Sequence, residues 1–249
     1  MLTSFRGLVA ASLLAGTALA ATPALADETA APSDITVSGN VQGVSDYRFR
    51  GISLSGGDFA VQGSINVNHS SGFYVGAWAS SLEDTPTYGH TEVDLYAGWT
   101  GEVASGFTVD AGLLYYAYPN GKVGDANVWE PYASVTTAIG PATAKVGVNY
   151  AWDQDSLGGD DNLYVYTDLG ASIPNTPVSL SAHLGYTDGA LSPKIITGSG
   201  NGGGFDWSAG ATFNVTKNLS VGASYVGVEG TSIDSVSDDT VVGTLKLTF

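Results

Sequence analysis

Asp46, Arg48 and Arg50 stand at alternate positions near the front of the chain. On an extended strand such positions share one face. If the first strand runs on through residue 50, two guanidiniums and a carboxylate project together. That constellation suits the steering of charged solutes. Glu92 and Asp94 repeat the spacing with carboxylates alone, and Asp110, Lys145, Asp168 and Lys246 fall on the polar faces of similar stretches. Opposed acidic and basic walls around a lumen would set a transverse field that selects solutes by charge and dipole. Catalysis has a weaker basis. Ser181 and His183 lie two apart, ~7 Å by strand rise, too far for a direct hydrogen bond unless the side chains lean together. Both sit on a polar face, whereas a lipid hydrolase needs a site open to lipid. No G-x-S-x-G motif is present. His183 reads more simply as a hydrogen-bonded lumen histidine, and His69 and His90 as surface residues beside turns.

The remaining polar clusters carry less. Asp153, Asp155, Asp160 and Asp161 could attract a divalent cation, but they lack the EF-hand spacing and its bidentate Glu, and a solvated loop accounts for them. Gly202-Gly203-Gly204 has neither the following helix nor the Lys-Ser/Thr pair of a phosphate cradle. The sequence presents no cofactor or metal motif.

The composition limits the elements that could position these residues. The chain has 249 residues, 34 glycines, 13 tyrosines and 5 tryptophans, and is 43% hydrophobic but only 13% charged. Lys and Arg number 8 against 24 Asp and Glu, for a formal net charge of −16. An acidic chain of this kind offers no basic patch for nucleic acid. The absence of cysteine excludes disulfides, thiolate metal sites and thiol nucleophiles. Residues 1–26 have the form of a secretory signal peptide: Arg6, an apolar stretch from Gly7 to Ala20, and an Ala24-Leu25-Ala26 cleavage site before Asp27. Residues 27–33 form a short polar segment, and residues 34–249 a single unit.

Alternation with period two dominates that unit. Val178, Leu180, Ala182, Leu184 and Tyr186 oppose Ser179, Ser181, His183, Gly185 and Thr187. A strand separates these sets into two faces, whereas a helix scatters them. The same split recurs in twelve segments near 35–47, 59–68, 73–81, 91–101, 107–118, 128–139, 142–153, 162–173, 178–187, 205–215, 219–229 and 240–249. Each is close to the 9–11 residues that a tilted strand needs to cross a bilayer. Short connections alternate with longer polar ones near 48–58, 82–90, 119–127, 154–161, 188–204 and 230–239. Many carboxylates fall in these loops, among them Asp58, Glu83, Asp84, Asp234, Asp238 and Asp239. Trp129, Trp152, Tyr186, Trp207 and Tyr225 cluster toward the long-loop ends, and Phe73, Trp99, Phe107, Phe213 and Phe249 toward the short-turn ends. Two aromatic belts, short periplasmic turns and longer extracellular loops predict a 12-stranded antiparallel transmembrane β-barrel, all-β, in a Gram-negative outer membrane.

Both ends of the barrel sequence resemble known proteins. Val241, Gly243, Leu245, Leu247 and Phe249, alternating up to a terminal aromatic, resemble the C-terminal signature that the barrel-assembly machinery reads in bacterial outer-membrane proteins. Ser45-Asp46-Tyr47-Arg48-Phe49-Arg50-Gly51-Ile52-Ser53, Ala60-Val61-Gln62-Gly63 and His69-Ser70-Ser71-Gly72-Phe73-Tyr74-Val75-Gly76 resemble the TorF-type family of proteobacterial porins, also labelled Gcw_chp. The resemblance implies an outer-membrane barrel more than it implies a substrate, and it carries no catalytic or binding residues across.

The reading is therefore a porin-like, non-enzymatic channel for passive diffusion of small hydrophilic solutes. Its pore lining would be Asp46, Arg48, Arg50, Glu92, Asp94, Asp110, Lys145, Asp168, His183 and Lys246. The excess of strand carboxylates over lysines predicts a mild cation preference. Its surroundings would be outer-membrane lipid and lipopolysaccharide. Two alternatives stay open: a barrel enzyme acting on lipid through Ser181 and His183, and a non-conducting barrel whose charges pair with one another while its acidic loops do the work.

Overall fold

The computed structural model describes residues 34–249. The leader expected over 1–26 and the polar segment over 27–33 lie outside the described residues. Alternation translates directly into strands: β1 (Ile35–Val44), β4 (Ala60–His69), β5 (Phe73–Thr85), β6 (Gly89–Ala104), β7 (Phe107–Ala117), β8 (Val128–Ile139), β9 (Ala142–Gln154), β10 (Asp160–Ser172), β11 (Val178–Gly189), β12 (Gly204–Asn214), β13 (Leu219–Val228) and β14 (Thr240–Thr248). These twelve close into one antiparallel barrel in the order β1-β14-β13-β12-β11-β10-β9-β8-β7-β6-β5-β4. A separate hairpin, β2 (Arg48–Phe49) with β3 (Ile52–Ser53), stands outside the sheet, and a single helical turn, α1 (Pro193–Ile196), caps one long loop.

Closure is made by β1 and β14, paired from Asn40↔Thr248 to Val44↔Thr244. The seam continues past β14, where Phe249 exchanges two backbone hydrogen bonds with Gly39, 2.9 and 3.0 Å. The Phe249 ring lies across Gly39, where a Cβ would come within 2.8 Å of it. With the seam made, no strand edge is left for lipid to solvate.

The faces separate as the alternation requires. Val37, Val41, Ile65, Val75, Leu95, Val135, Val146, Leu169, Leu184, Val221 and Leu245 all point out and are exposed. A soluble protein would bury such a band; on a closed barrel it belongs against lipid. Trp129, Trp152, Tyr186 and Tyr225 are exposed near the long loops, and Phe73, Phe107, Phe213 and Phe249 near the short turns. Short turns occupy 70–72, 105–106, 140–141, 173–177 and 215–218. At 105–106, Gly106 takes φ +79°, a conformation that L side chains rarely adopt.

Inside, tyrosines from one strand lie flat over glycines of the next. Tyr96 covers Gly76, Tyr74 covers Gly98, Tyr132 covers Gly112 and Tyr166 covers Gly147. All four are cross-strand pairs. The glycine lets the ring lie against the wall instead of standing across the lumen.

Two expectations need correction. β1 ends at Val44, so Asp46, Arg48 and Arg50 are not on its inward face, and Tyr47 and Phe49 do not face lipid. The alternation in 45–50 belongs to a loop that turns inward. The loop expected over 82–90 shrinks to 86–88, because β5 and β6 continue outward as a ribbon and carry Glu83 and Asp84 on β5. Asp160 and Asp161 likewise open β10.

A Gly112→Val barrel should lose roughly 1–3 kcal/mol, because the new side chain must displace the Tyr132 ring. Urea unfolding in detergent, followed by tryptophan emission, measures this. Gly106→Ala, with nothing within 4 Å of its Cβ, should cost only the backbone strain, about 1 kcal/mol.

Candidate functional site

Loop 45–59 is the part of the barrel that the strand pattern did not foresee. It leaves β1 at Val44 and re-enters the sheet at Ala60, directly opposite Val44 in the register. Between them the chain folds into the lumen, and Asp46, Tyr47, Arg48, Arg50, Ile52, Ser53 and Ser55 are all buried. The hairpin turns at Arg50 (φ 48°) and Gly51 (φ 83°). Consecutive positive φ values define a tight turn of the primed type, normally filled by Asn-Gly or Asp-Gly. Arginine there stores about 1 kcal/mol of backbone strain.

The contacts of Arg50 account for its place. Its guanidinium Nη2 donates to both carboxylate oxygens of Glu130 at 2.8 Å. It also stacks over the Tyr164 ring, 4.1 Å from the centroid, and over Phe49 at 4.7 Å. Glu130 is fully buried. It accepts further hydrogen bonds from the Tyr116 hydroxyl (2.8 Å) and Asn149 Nδ2 (2.9 Å). Glu130 lies on β8 and Tyr164 on β10, on the far side of the ring from β1. The loop therefore crosses the lumen. Phe49 packs edge-on against Tyr116 and Tyr47 against Trp78, which fills the space between.

Arg48 anchors the mouth side. It pairs with Asp46 and, at 3.1 Å, with Asp238. It also donates to the backbone carbonyls of Val236 and Asp238 at 3.2 and 3.0 Å. Asp46 is held in turn by Ser53 and Ser55 hydroxyls. Loop 45–59 is thus fixed to the loop over 229–239. That loop is tied to α1 by Lys194 and Glu229, 2.7 Å apart, and the hydrogen bond from Lys194 holds the Glu229 carboxyl below its usual range.

The strand residues of the expected lining divide into groups. His183 Nδ1 meets Asp168 at 2.6 Å, and Nε2 meets Asp206 at 3.0 Å and the Tyr164 hydroxyl at 2.7 Å. Both ring nitrogens are committed, and neither bonds Ser181. Asp110 accepts from Tyr74 at 2.6 Å, and Tyr74 in turn meets the Tyr132 hydroxyl. Lys145 stands opposite Asp168 in the register, and Lys246 opposite Gln42 and Ser220. Glu92 and Asp94 are fully buried on β6. Glu130 and Asp206 belong to the same network but were missed by the sequence reading. The signal was present: each is the strand neighbour of an outward tryptophan, Trp129 or Trp207, and so must point in.

Below the loop the wall changes. Ser64, Asn66, Ser181, Ser208, Gly210, Gly222, Ser224 and Thr244 point inward and are only half-buried. Inside a closed barrel, that residual exposure opens onto the lumen.

An apolar exterior, a polar lumen and an inserted first loop define a transmembrane β-barrel of porin architecture. Residues 28–249 match the family model described as "Bacterial protein of unknown function (Gcw_chp)", and the chain belongs to that family. No curated protein matches it in sequence. Among solved structures it is similar to one described as "NanC porin structure in rhombohedral crystal form", with a TM-score of 0.59 at 12% identity, covering 85% of this chain and 98% of that one. It is also similar to "KdgM porin in complex with disordered oligogalacturonate", with a TM-score of 0.57 at 7% identity, covering 86% and 98%. At these identities the likeness is one of fold.

Removing one partner of the buried pair should free the loop. In Glu130→Gln, Arg50 loses its counter-charge deep in the barrel, at a cost of about 3–5 kcal/mol if the loop stays. Limited trypsin digestion of the folded barrel should then cut after Arg48 and Arg50, where the wild type resists.

Proposed function

We propose that the chain is an outer-membrane diffusion channel for small hydrophilic solutes, with loop 45–59 as its constriction. The observation that carries this reading is the half-buried small polar wall below the loop. It leaves a wet path, whereas a plugged barrel would fill that space with interlocked side chains. The similarity to two porins supports the same class. Closure at Phe249 suits recognition of β14 by the barrel-assembly machinery, and the aromatic belts suit lipid and lipopolysaccharide around the barrel.

Charge decides which solutes pass. Asp110, Asp168 and Asp206 stand on the wall against Lys145 and Lys246, while Glu92 and Asp94 have no exposure to the lumen and Glu130 is taken up with Arg50. Arg48 and Arg50 on the loop are both taken up in ion pairs. The field left over favours cations and zwitterions above anions. An acidic oligosaccharide, such as the one bound in the KdgM structure, fits this lumen poorly. The bonds of His183 run to Tyr164, Asp168 and Asp206 and not to Ser181, which argues against the hydrolase reading.

Single-channel recording of residues 27–249 in a planar bilayer under a salt gradient tests the proposal. Discrete steps with a cation-side reversal potential are the expected result. Silence from a demonstrably folded barrel would reject an open pore. Arg50→Asn keeps a turn-compatible residue but removes the crossing charge. It should raise conductance roughly twofold and shift the reversal potential further toward cations.

A further inference from the structure

Glu92 and Asp94 project from β6 with no solvent exposure. Neither is in an ion pair among the described residues: Arg50 is committed to Glu130, and Arg48 to Asp46 and Asp238. Glu92 Oε1 accepts one long hydrogen bond from the Tyr118 hydroxyl, 3.3 Å. Glu92 Oε2 and both oxygens of Asp94 have no hydrogen-bond partner and almost no surface open to water. A second element points at the same place. The hydroxyl of Tyr47, carried by the inserted loop and 4% exposed, lies against Glu92 and has no other partner. Two adjacent carboxylates with no counter-charge, and only phenol hydroxyls within reach, make a costly arrangement in a protein interior.

We propose that Glu92 and Asp94, with the phenol oxygens of Tyr47 and Tyr118, bind one calcium ion between the barrel wall and loop 45–59. Charge fixes the valence, since two uncompensated carboxylates balance one divalent cation. Donor chemistry fixes the group, because every available atom is a hard oxygen, which suits calcium or magnesium over zinc or copper. Hydration separates those two. Magnesium holds on to several waters, and these oxygens have almost no contact with water. Asp94 has both oxygens free, ready for the bidentate binding that calcium accepts. No group of three or more His, Asp and Glu side chains with metal-binding geometry occurs among the described residues. The site is therefore a two-carboxylate one, completed by the phenols. It would tie the loop to β6 through Tyr47, two strands along the wall from Glu130 and its pair with Arg50. The proposal is independent of solute passage.

The test uses refolded residues 27–249 in detergent, free of lipopolysaccharide, which binds divalent cations itself. Terbium serves as the calcium probe, because Tyr47, Tyr118 and nearby Trp78 can sensitise its emission. Wild type should give sensitised emission that calcium displaces and magnesium displaces at least about tenfold less well. The Glu92→Gln/Asp94→Asn variant should lose the signal, and Tyr47→Phe should weaken it. The Asp155→Asn/Asp161→Asn control, at the exposed acidic end of β9 and β10, should keep it. Thermal unfolding supplies a second readout that survives a poor terbium signal. Without calcium the double variant should melt above wild type, since it no longer buries two charges. With calcium the order should reverse. Emission equal in wild type and the double variant, emission lost only in the loop control, or melting of wild type unmoved by calcium would each overturn the proposal; the last would mean that the pair holds a shared proton instead.

Discussion

Lipid offers no hydrogen bonds, and the rest of the molecule follows from that constraint. Every backbone N–H and C=O within the bilayer must be paired by the chain itself, and a sheet can do so only by closing. Closure depends on the seam between β1 and β14, the latter finished by Phe249 over Gly39. It also turns the usual fold inside out. The apolar side chains face outward, and the polar and charged ones are confined to a lumen a few side chains wide. The tyrosine-over-glycine pairs are a second consequence. A barrel of twelve strands keeps an interior space only if its large inward residues lie along the wall.

Confinement makes the charges inside the barrel depend on one another. A buried carboxylate such as Glu130 is tolerable because four donor contacts reach it, two of them from a guanidinium that comes from the opposite side of the ring. Arg50 can reach it because its loop accepts an unfavourable turn conformation. Strain at the turn and a fully satisfied ion pair thus balance one another, and together they place a polypeptide crossbar in the lumen. His183, between Asp168 and Asp206, is satisfied in the same way lower in the barrel. Glu92 and Asp94 depart from this pattern, having no cation to match their charge and only phenol donors within reach.

Much of this was legible in the sequence, for a physical reason. Strand alternation is a local property, so 128–139 and 142–153 could be placed to within a residue of β8 and β9, and the inward position of Glu92, Asp94, Asp168 and His183 followed from their neighbours. What crosses the lumen is not local. Arg50 meets Glu130 eighty residues away, and no periodicity reports that. Alternation also continues numerically from β1 into 45–50, which hid the point where the chain leaves the sheet at Val44. The Arg50-Gly51 turn was the missed clue, since a non-glycine residue at φ +48° is invisible in a pattern of hydrophobicity. Glu130 and Asp206 were lost differently: the outward tryptophan beside each drew attention to the lipid face and away from its neighbour.

The central claim is that the inserted loop sets the width of the pore. Val44 and Ala60 are register partners, so a two-residue Asn-Gly turn can replace residues 45–59, with Glu130→Gln to remove the charge that Arg50 would no longer meet. Single-channel conductance of that shortened barrel, beside the intact one, is the most direct measurement. A severalfold rise in conductance, with weaker charge selectivity, is the predicted result. Equal conductance from two equally folded barrels would place the constriction elsewhere and contradict the account.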